Sequence, residues 1–312
     1  MIKTNLNYSK TLSMVVLLSL AILASCKKDQ DPVDPVKPEK PVTPATPIAP
    51  IRPVTANSNP YVTQFFEYTP APGQFINTGF GTAEVAKTIL KGKDNLLTLG
   101  AWGGYVVYGF DHTVLNGYNK PDIIVFGNAF NLFAEPGIIW VMDDKNGNGK
   151  PDDTWYELRG SKYNQEGYVR NYTVTYTHPK NDTSDVPWRD NHGNRGYIKR
   201  NIYNTQPYFP KWVTGSTYTL KGSLLPSTNI DDSNPDYIIS RSFDFGYADN
   251  TSGGDKVDIS NAIDKNGVSV KLKGVDFIKI QTGVLYDMGW LGEQSTEVTG
   301  VADLSIVKLD DQ

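Results

Sequence analysis

An all-β fold, a single large β-sandwich or jelly roll, is the architecture this sequence predicts over residues 58–312. Three observations predict it. Short runs rich in β-branched and aromatic residues recur through the stretch, clusters of Gly, Asn, Asp and Pro bound them, and helical periodicity is nearly absent. Hydrophobic residues at 39% supply enough material for a sizeable core, so a wholly disordered chain is excluded. No repeat of propeller length interrupts the pattern, and no second break in composition divides it.

The elements follow in chain order. Residues 1–25 read as an export signal: Lys3 and Lys10 lead into the apolar run Met14–Leu23, which at ten residues is too short to span a bilayer. The run ends Leu23-Ala24-Ser25-Cys26, which resembles a bacterial lipobox and predicts lipidation of Cys26, the single cysteine of the chain. One cysteine also excludes an intrachain disulfide framework. Residues 26–57 form a spacer in which Pro32, Pro35, Pro38, Pro41, Pro44, Pro47, Pro50 and Pro53 fall on a three-residue period. Polyproline II has three residues per turn, so the spacer reads as a stiff tether. Strands are then expected at Tyr105–Phe110, Ile123–Phe126, Ile138–Met142, Asn171–Tyr176, Tyr237–Ile239 and Phe277–Gln281, with one short helix at Thr82–Leu90.

Several function classes are excluded or weakened. A net charge of −4 lacks the basic footprint of a nucleic-acid binder. There is no G-x-S-x-G elbow, and Gly79–Thr82 lacks the lysine and spacing of a phosphate loop. Nothing points to a redox cofactor. Of the three histidines, His112, beside Asp111, reads as a surface or capping residue, and His178 and His192 lie in loop sequence.

The sharpest motif is the run Asp144 to Asp153. Asp144, Asn146, Asn148 and Asp152 hold oxygen side chains at positions 1, 3, 5 and 9 of an EF-hand-type loop, with Gly149 at position 6. Lys150 offers its backbone carbonyl at position 7, and Asp153 or Glu157 could replace the glutamate missing at position 12. The expected ion is a structural Ca²⁺; the competing reading is a solvated Asn-Gly turn. A second acidic set, Asp255, Asp258, Asp264, Glu293, Glu297 and Asp303, could hold another hard cation, sugar hydroxyls or a general acid and base, or could be turn and edge residues. Aromatics and polar groups mingle in residues 186–212, where Trp188, Arg189, Arg195, Tyr208 and Trp212 suit a polar, ring-shaped ligand, a glycan or a corrinoid such as cobalamin. The same aromatics could equally fill a core under a long loop.

A family resemblance rests on further residues: Gly100–Asp111 (GAWGGYVVYGFD), Pro121–Phe130 (PDIIVFGNAF), Glu135-Pro136-Gly137, Trp155–Leu158, Val275–Thr282 and Gly292–Val298 (GEQSTEV). Together they resemble Bacteroidetes cell-surface lipoproteins with a β-sandwich, over most of residues 75–305. The resemblance implies an outer-membrane lipoprotein, held by its lipid anchor and facing outward. It also implies an accessory role in nutrient uptake, beside a TonB-dependent transporter. A non-enzymatic binder is the leading expectation. A glycan-active hydrolase or lyase and an adhesion or scaffold protein are the alternatives.

Overall fold

Seven strands make the main antiparallel sheet. Its order runs Gln64–Thr69, Tyr105–Leu115, Gly274–Thr282, Gly137–Met142, Tyr156–Leu158 and Ala262–Ile263, with Tyr247–Ala248 also paired to Gly137–Met142. A computed structural model describes residues 49–309. The export signal, Cys26 and most of the proline repeat lie outside the described residues. A three-stranded sheet (Asp255–Val257, Ile123–Phe126, Gly300–Asp303) and a four-stranded one (Thr217–Leu224, Val169–Thr177, Val186–Asp190, Arg195–Ile198) complete the larger layers. Two-stranded pairings join Leu97–Thr98 to Glu297–Val298 and Ile230–Asp231 to Ile239–Ser240. The domain is all-β and sandwich-like, as predicted.

The strand alternation explains the core. Val106, Tyr108, Phe110, Ile139, Val141, Ile278 and Ile280 pack in one cluster with Ile123, Val125, Val257 and Val301 of the three-stranded sheet. A register shift between Val275 and Phe277 lets Val275 join the cluster that Ile278 also faces. At that shift sits Asp276, fully buried. Its Oδ1 accepts from Arg52 Nη2 at 2.8 Å and Thr113 Oγ1 at 2.7 Å, and its Oδ2 accepts from the Asp144 backbone N–H at 2.8 Å. Arg52 is therefore part of the fold, which begins before residue 58. The last residues of the proline spacer are bonded to the sheet.

A second cluster lies under the four-stranded sheet: Trp102, Tyr172, Val174, Tyr176, Tyr208, Phe209 and Leu220. Among the described residues the one α-helix is Ala83–Thr88, capped by Thr82, whose hydroxyl accepts from Val85 N–H at 3.2 Å. No described helix is long and apolar enough to cross a membrane.

Candidate functional site

Two connecting segments face each other across a cavity of about 320 Å³. One is residues 127–136, between the strands Ile123–Phe126 and Gly137–Met142. The other is residues 283–296, between Gly274–Thr282 and Glu297–Val298. Each is anchored by a strand at both ends, and the second also carries a 3₁₀ turn at Gly289–Leu291. Phe75, Phe130, Phe133 and Trp290 supply apolar walls, and Asn128, Glu135, Glu293, Gln294 and Glu297 supply polar groups. Phe130 is 64% exposed and Trp290 47% exposed, so both rings offer a face to an incoming molecule.

The carboxyls are fixed from behind. Glu135 Oε1 accepts from the Ser295 backbone N–H at 3.2 Å and its Oε2 from Asn250 Nδ2 at 3.3 Å. Glu297 Oε2 accepts from Asn128 Nδ2 at 2.6 Å. Glu293 Oε1 accepts from the Gln74 backbone N–H at 2.8 Å. That approach requires Gly73, because a Cβ there would lie 2.4 Å from Glu293 Oε1. Gly292, at φ 97°, makes the turn into Glu293 in a region that L side chains rarely occupy. Glu293 Oε2 and Gln294 Oε1 are buried and have no hydrogen-bond partner among the described residues.

Burial sets the electrostatics. It pushes Glu293 up to about 8, with the neighbouring charges of Glu297 and Asp287 adding to the effect against the Gln74 amide. Burial pushes Glu297 up to about 7, opposed by the Asn128 hydrogen bond. Glu135 lies well above the usual carboxyl range, from burial first and the Glu297 charge second. The cavity thus keeps protons on carboxyl groups near neutral pH. Among the described residues, no lysine, arginine or histidine lines it.

Glu293 and Glu297 belong to the second acidic set read from the sequence; the other four members lie elsewhere. Asp258 caps a 3₁₀ turn through Ser260 N–H at 2.7 Å, and Asp264 accepts from Asn266 and Val268 N–H in a turn. Asp303 accepts from His112 Nε2 at 3.0 Å, while His112 Nδ1 lies 2.7 Å from Asp111 Oδ1. His112 is fully buried, so it is a core residue rather than the surface or capping residue expected. Asp255 bonds Thr251 and lines a separate depression with Asp249. Glu135 joins Glu293 and Glu297 from 160 residues away along the chain, and acidic spacing gave no sign of it.

The 186–212 segment is a hairpin followed by a loop. Trp188 lies against Gly196 across the hairpin and lines a neighbouring cavity of about 150 Å³ with Tyr197, Lys199, Leu285, Tyr286, Asp287 and Glu293. Arg189 and Arg195 sit opposite each other on the two strands, exposed to solvent. Tyr208 is fully buried, its hydroxyl accepting from the Asn201 N–H at 2.9 Å, which makes it a packing residue. Trp212 is half exposed, its ring centre 6.3 Å from that of Tyr68.

The Asp144–Asp153 loop brings four of its predicted donors together. Asn146 Nδ2 and Asn148 Nδ2 each bond Asp152 at 2.9 Å, and Asp144 accepts from the Asn148 and Gly149 N–H groups at 3.1 and 2.8 Å. Asp153 turns to the backbone N–H of Lys145 at 2.9 Å. Glu157 stands apart: it is buried in its strand and accepts from Tyr168 Oη at 2.5 Å and Ser223 Oγ at 2.7 Å, both hydroxyls outside the loop. The oxygen side chains gathered around Asp152 and Asp144 are thus two carboxylates and two amides, with Asp153 turned to the backbone and Lys150 contributing only its own backbone. Hard oxygens at this spacing are what Ca²⁺ requires, although six or more are needed to complete its shell.

A comparison with protein-family models and one with curated proteins each returned no match.

Proposed function

We propose that this chain is a surface lipoprotein, anchored in the outer membrane through Cys26, whose sandwich domain binds a glycan ring as a non-enzymatic accessory of nutrient uptake. The observation that carries the binding reading is the cavity between Phe130 and Trp290. Exposed aromatic faces beside buried carboxyl and amide groups combine apolar stacking area with directed hydrogen bonds, and a hydroxylated ring uses both. A volume of about 320 Å³ suits one ring-sized group. A corrinoid would have to lie across the mouth, so a glycan is favoured. Ca²⁺ in the Asp144–Asp152 loop would brace the central strand Gly274–Thr282 through the Asp144–Asp276 hydrogen bond. The lipobox and proline spacer support display at the membrane, where a tethered site raises the effective ligand concentration near a TonB-dependent transporter.

The test is a glycan screen of the purified protein beside Trp290→Ala and Glu297→Gln. Binding that both substitutions weaken at least tenfold supports the reading. Glycan binding indifferent to both places the site elsewhere and sinks it. A second reading, hydrolysis, is favoured by one feature: Glu293 and Glu297, pushed up to about 8 and about 7, would hold a proton for a leaving group at neutral pH. Turnover of any bound glycan, lost in Glu293→Gln while binding persists, would select it.

A further inference from the structure

We infer that the cavity between Phe130 and Trp290 selects rings that carry a primary ammonium group, so that an amino sugar is preferred over its neutral counterparts. The inference rests on the reading of this cavity as a glycan-ring site and names the chemistry it selects.

The titratable lining of the cavity consists of Glu135, Glu293 and Glu297, and among the described residues no basic side chain faces it. The nearest cation in the adjoining cavity, Lys199, is held 2.7 Å from Asp287 Oδ2 and is already paired. Two buried polar atoms, Glu293 Oε2 and Gln294 Oε1, have no partner among the described residues: the amide oxygen can only accept, and the carboxyl oxygen accepts once its proton is lost. A buried acceptor left unsatisfied is costly, so the occupant that binds best is one that brings donors.

A neutral hydroxyl brings one donor and no charge. An ammonium brings three donors and a positive charge into a site whose uncompensated groups are acidic. Its contacts to a carboxylate are charge-assisted and therefore stronger than those of a neutral donor. The walls reinforce the choice, because Trp290 and Phe130 present faces on which a cation is attracted by the ring quadrupole. Acidic ligands, among them uronic acids and phosphates, find no counter-charge in the lining. They are disfavoured for the same reason.

The protonation of the empty site supports the inference. Burial keeps the three carboxyls protonated above their ordinary range. An ammonium held beside them favours the ionised form, so at pH 6, where the ligand amine already carries its proton, binding expels a proton from the carboxyls. The other ionisable groups around Glu293 are Asp287, paired with Lys199, and the buried hydroxyls of Tyr176 and Tyr208. The tyrosines stay neutral over this range. The carboxyls are therefore the source of the proton.

The experiment is calorimetric titration of the purified protein with three tetrasaccharides of the same linkage: β-1,4-glucosamine, its N-acetylated form and β-1,4-glucose. Each is run at pH 6 and pH 7.5 in two buffers of different ionisation enthalpy. The glucosamine tetramer is expected to bind about tenfold or more tightly than either neutral one, a difference of about 1.4 kcal/mol. At pH 6 it should release protons, and Glu293→Gln and Glu297→Gln should each reduce the preference. Melting curves of both variants establish that they are folded. Equal affinity for all three, lost in Trp290→Ala, overturns the ammonium inference and leaves the ring-binding reading standing. A preference that survives both Gln substitutions also overturns it, since the charge would then be read elsewhere. No binding of any tetramer overturns both.

Discussion

Glu293→Gln should make the domain less sensitive to pH, and the structure sets the size of the effect. Burial pushes Glu293 from its ordinary 4.5 up to about 8 in the folded chain. A carboxyl whose folded value is raised binds its proton more tightly in the native state. Its contribution to stability is complete below about 4.5 and declines as pH rises, until it is lost at about 8. At about 1.4 kcal/mol per pH unit, the full difference comes to about 5 kcal/mol. Domains of this kind are stable by about 5–15 kcal/mol, so the change is measurable. Glutamine keeps the shape and the acceptor for Gln74 N–H but cannot ionise. Urea unfolding of wild type and variant at pH 5, 6, 7 and 8 isolates the contribution. Between pH 5 and 7 the wild type should lose about 3 kcal/mol more than the variant. Parallel curves across that range would refute the argument, because Glu293 would then titrate alike in folded and unfolded chains.

Further outcomes are expected elsewhere in the molecule. Arg52→Ala strips the ion partner from fully buried Asp276 and should cost about 3 kcal/mol in chemical unfolding; no loss would remove residue 52 from the fold. His112 is drawn down by burial but raised overall by Asp303 and Asp111, so its pairing stabilises below the ordinary histidine range and fades as pH rises through its folded value. His112→Gln should therefore cost more at pH 6 than at pH 9, and an equal cost at both would contradict the pairing. Excess Ca²⁺ should raise the melting temperature by several degrees over chelator, by mass action on the native state. The exposed substitution Asp152→Ala should cancel that difference, and identical wild-type melts with and without Ca²⁺ would count against the loop as a site. Cys26→Ala should release the protein from the membrane fraction; retention at wild-type levels would refute the anchor.

The fold was legible where the pleat is buried on both sides. The runs YVVYGF, IIVF, IIWVM and FIKIQ lie within strands, because covered strands keep β-branched and aromatic residues at nearly every position. Legibility failed where burial is one-sided or the element is short. The strands Val186–Asp190 and Arg195–Ile198 contain Pro187, Arg189 and Arg195 and face solvent along much of their length, so the segment read as a loop. Tyr237 is exposed ahead of a strand of only two residues, Ile239–Ser240. His112 read as a surface or capping residue because the strand was expected to stop at Phe110, whereas it continues to Leu115 and carries the imidazole inward.

The candidate site was half legible, for a reason of geometry. Glu293 and Glu297 stood out as acids near one another in the chain, but so did Asp258 and Asp264, which only cap turns. Proximity along a chain does not report convergence. Glu135 and the Phe130 ring reach the cavity because the strands Gly137–Met142 and Gly274–Thr282 are neighbours, a pairing that only the sheet order reveals. Aromatic density drew attention to 186–212, yet Tyr208 packs inside and Trp188 reaches a smaller cavity that shares Glu293. The glycines at 73 and 292 mark close approach and a left-handed turn, and neither has meaning until Glu293 is seen beside Gln74.

The most direct test of the central claim is hydrogen exchange of the protein with and without a glycan identified by the screen. Slowed exchange is expected, confined to residues 128–135 and 288–297, whose backbones carry Phe130, Glu135, Trp290, Glu293 and Glu297. Slowed exchange confined to residues 186–212, with the cavity segments unchanged, would contradict it.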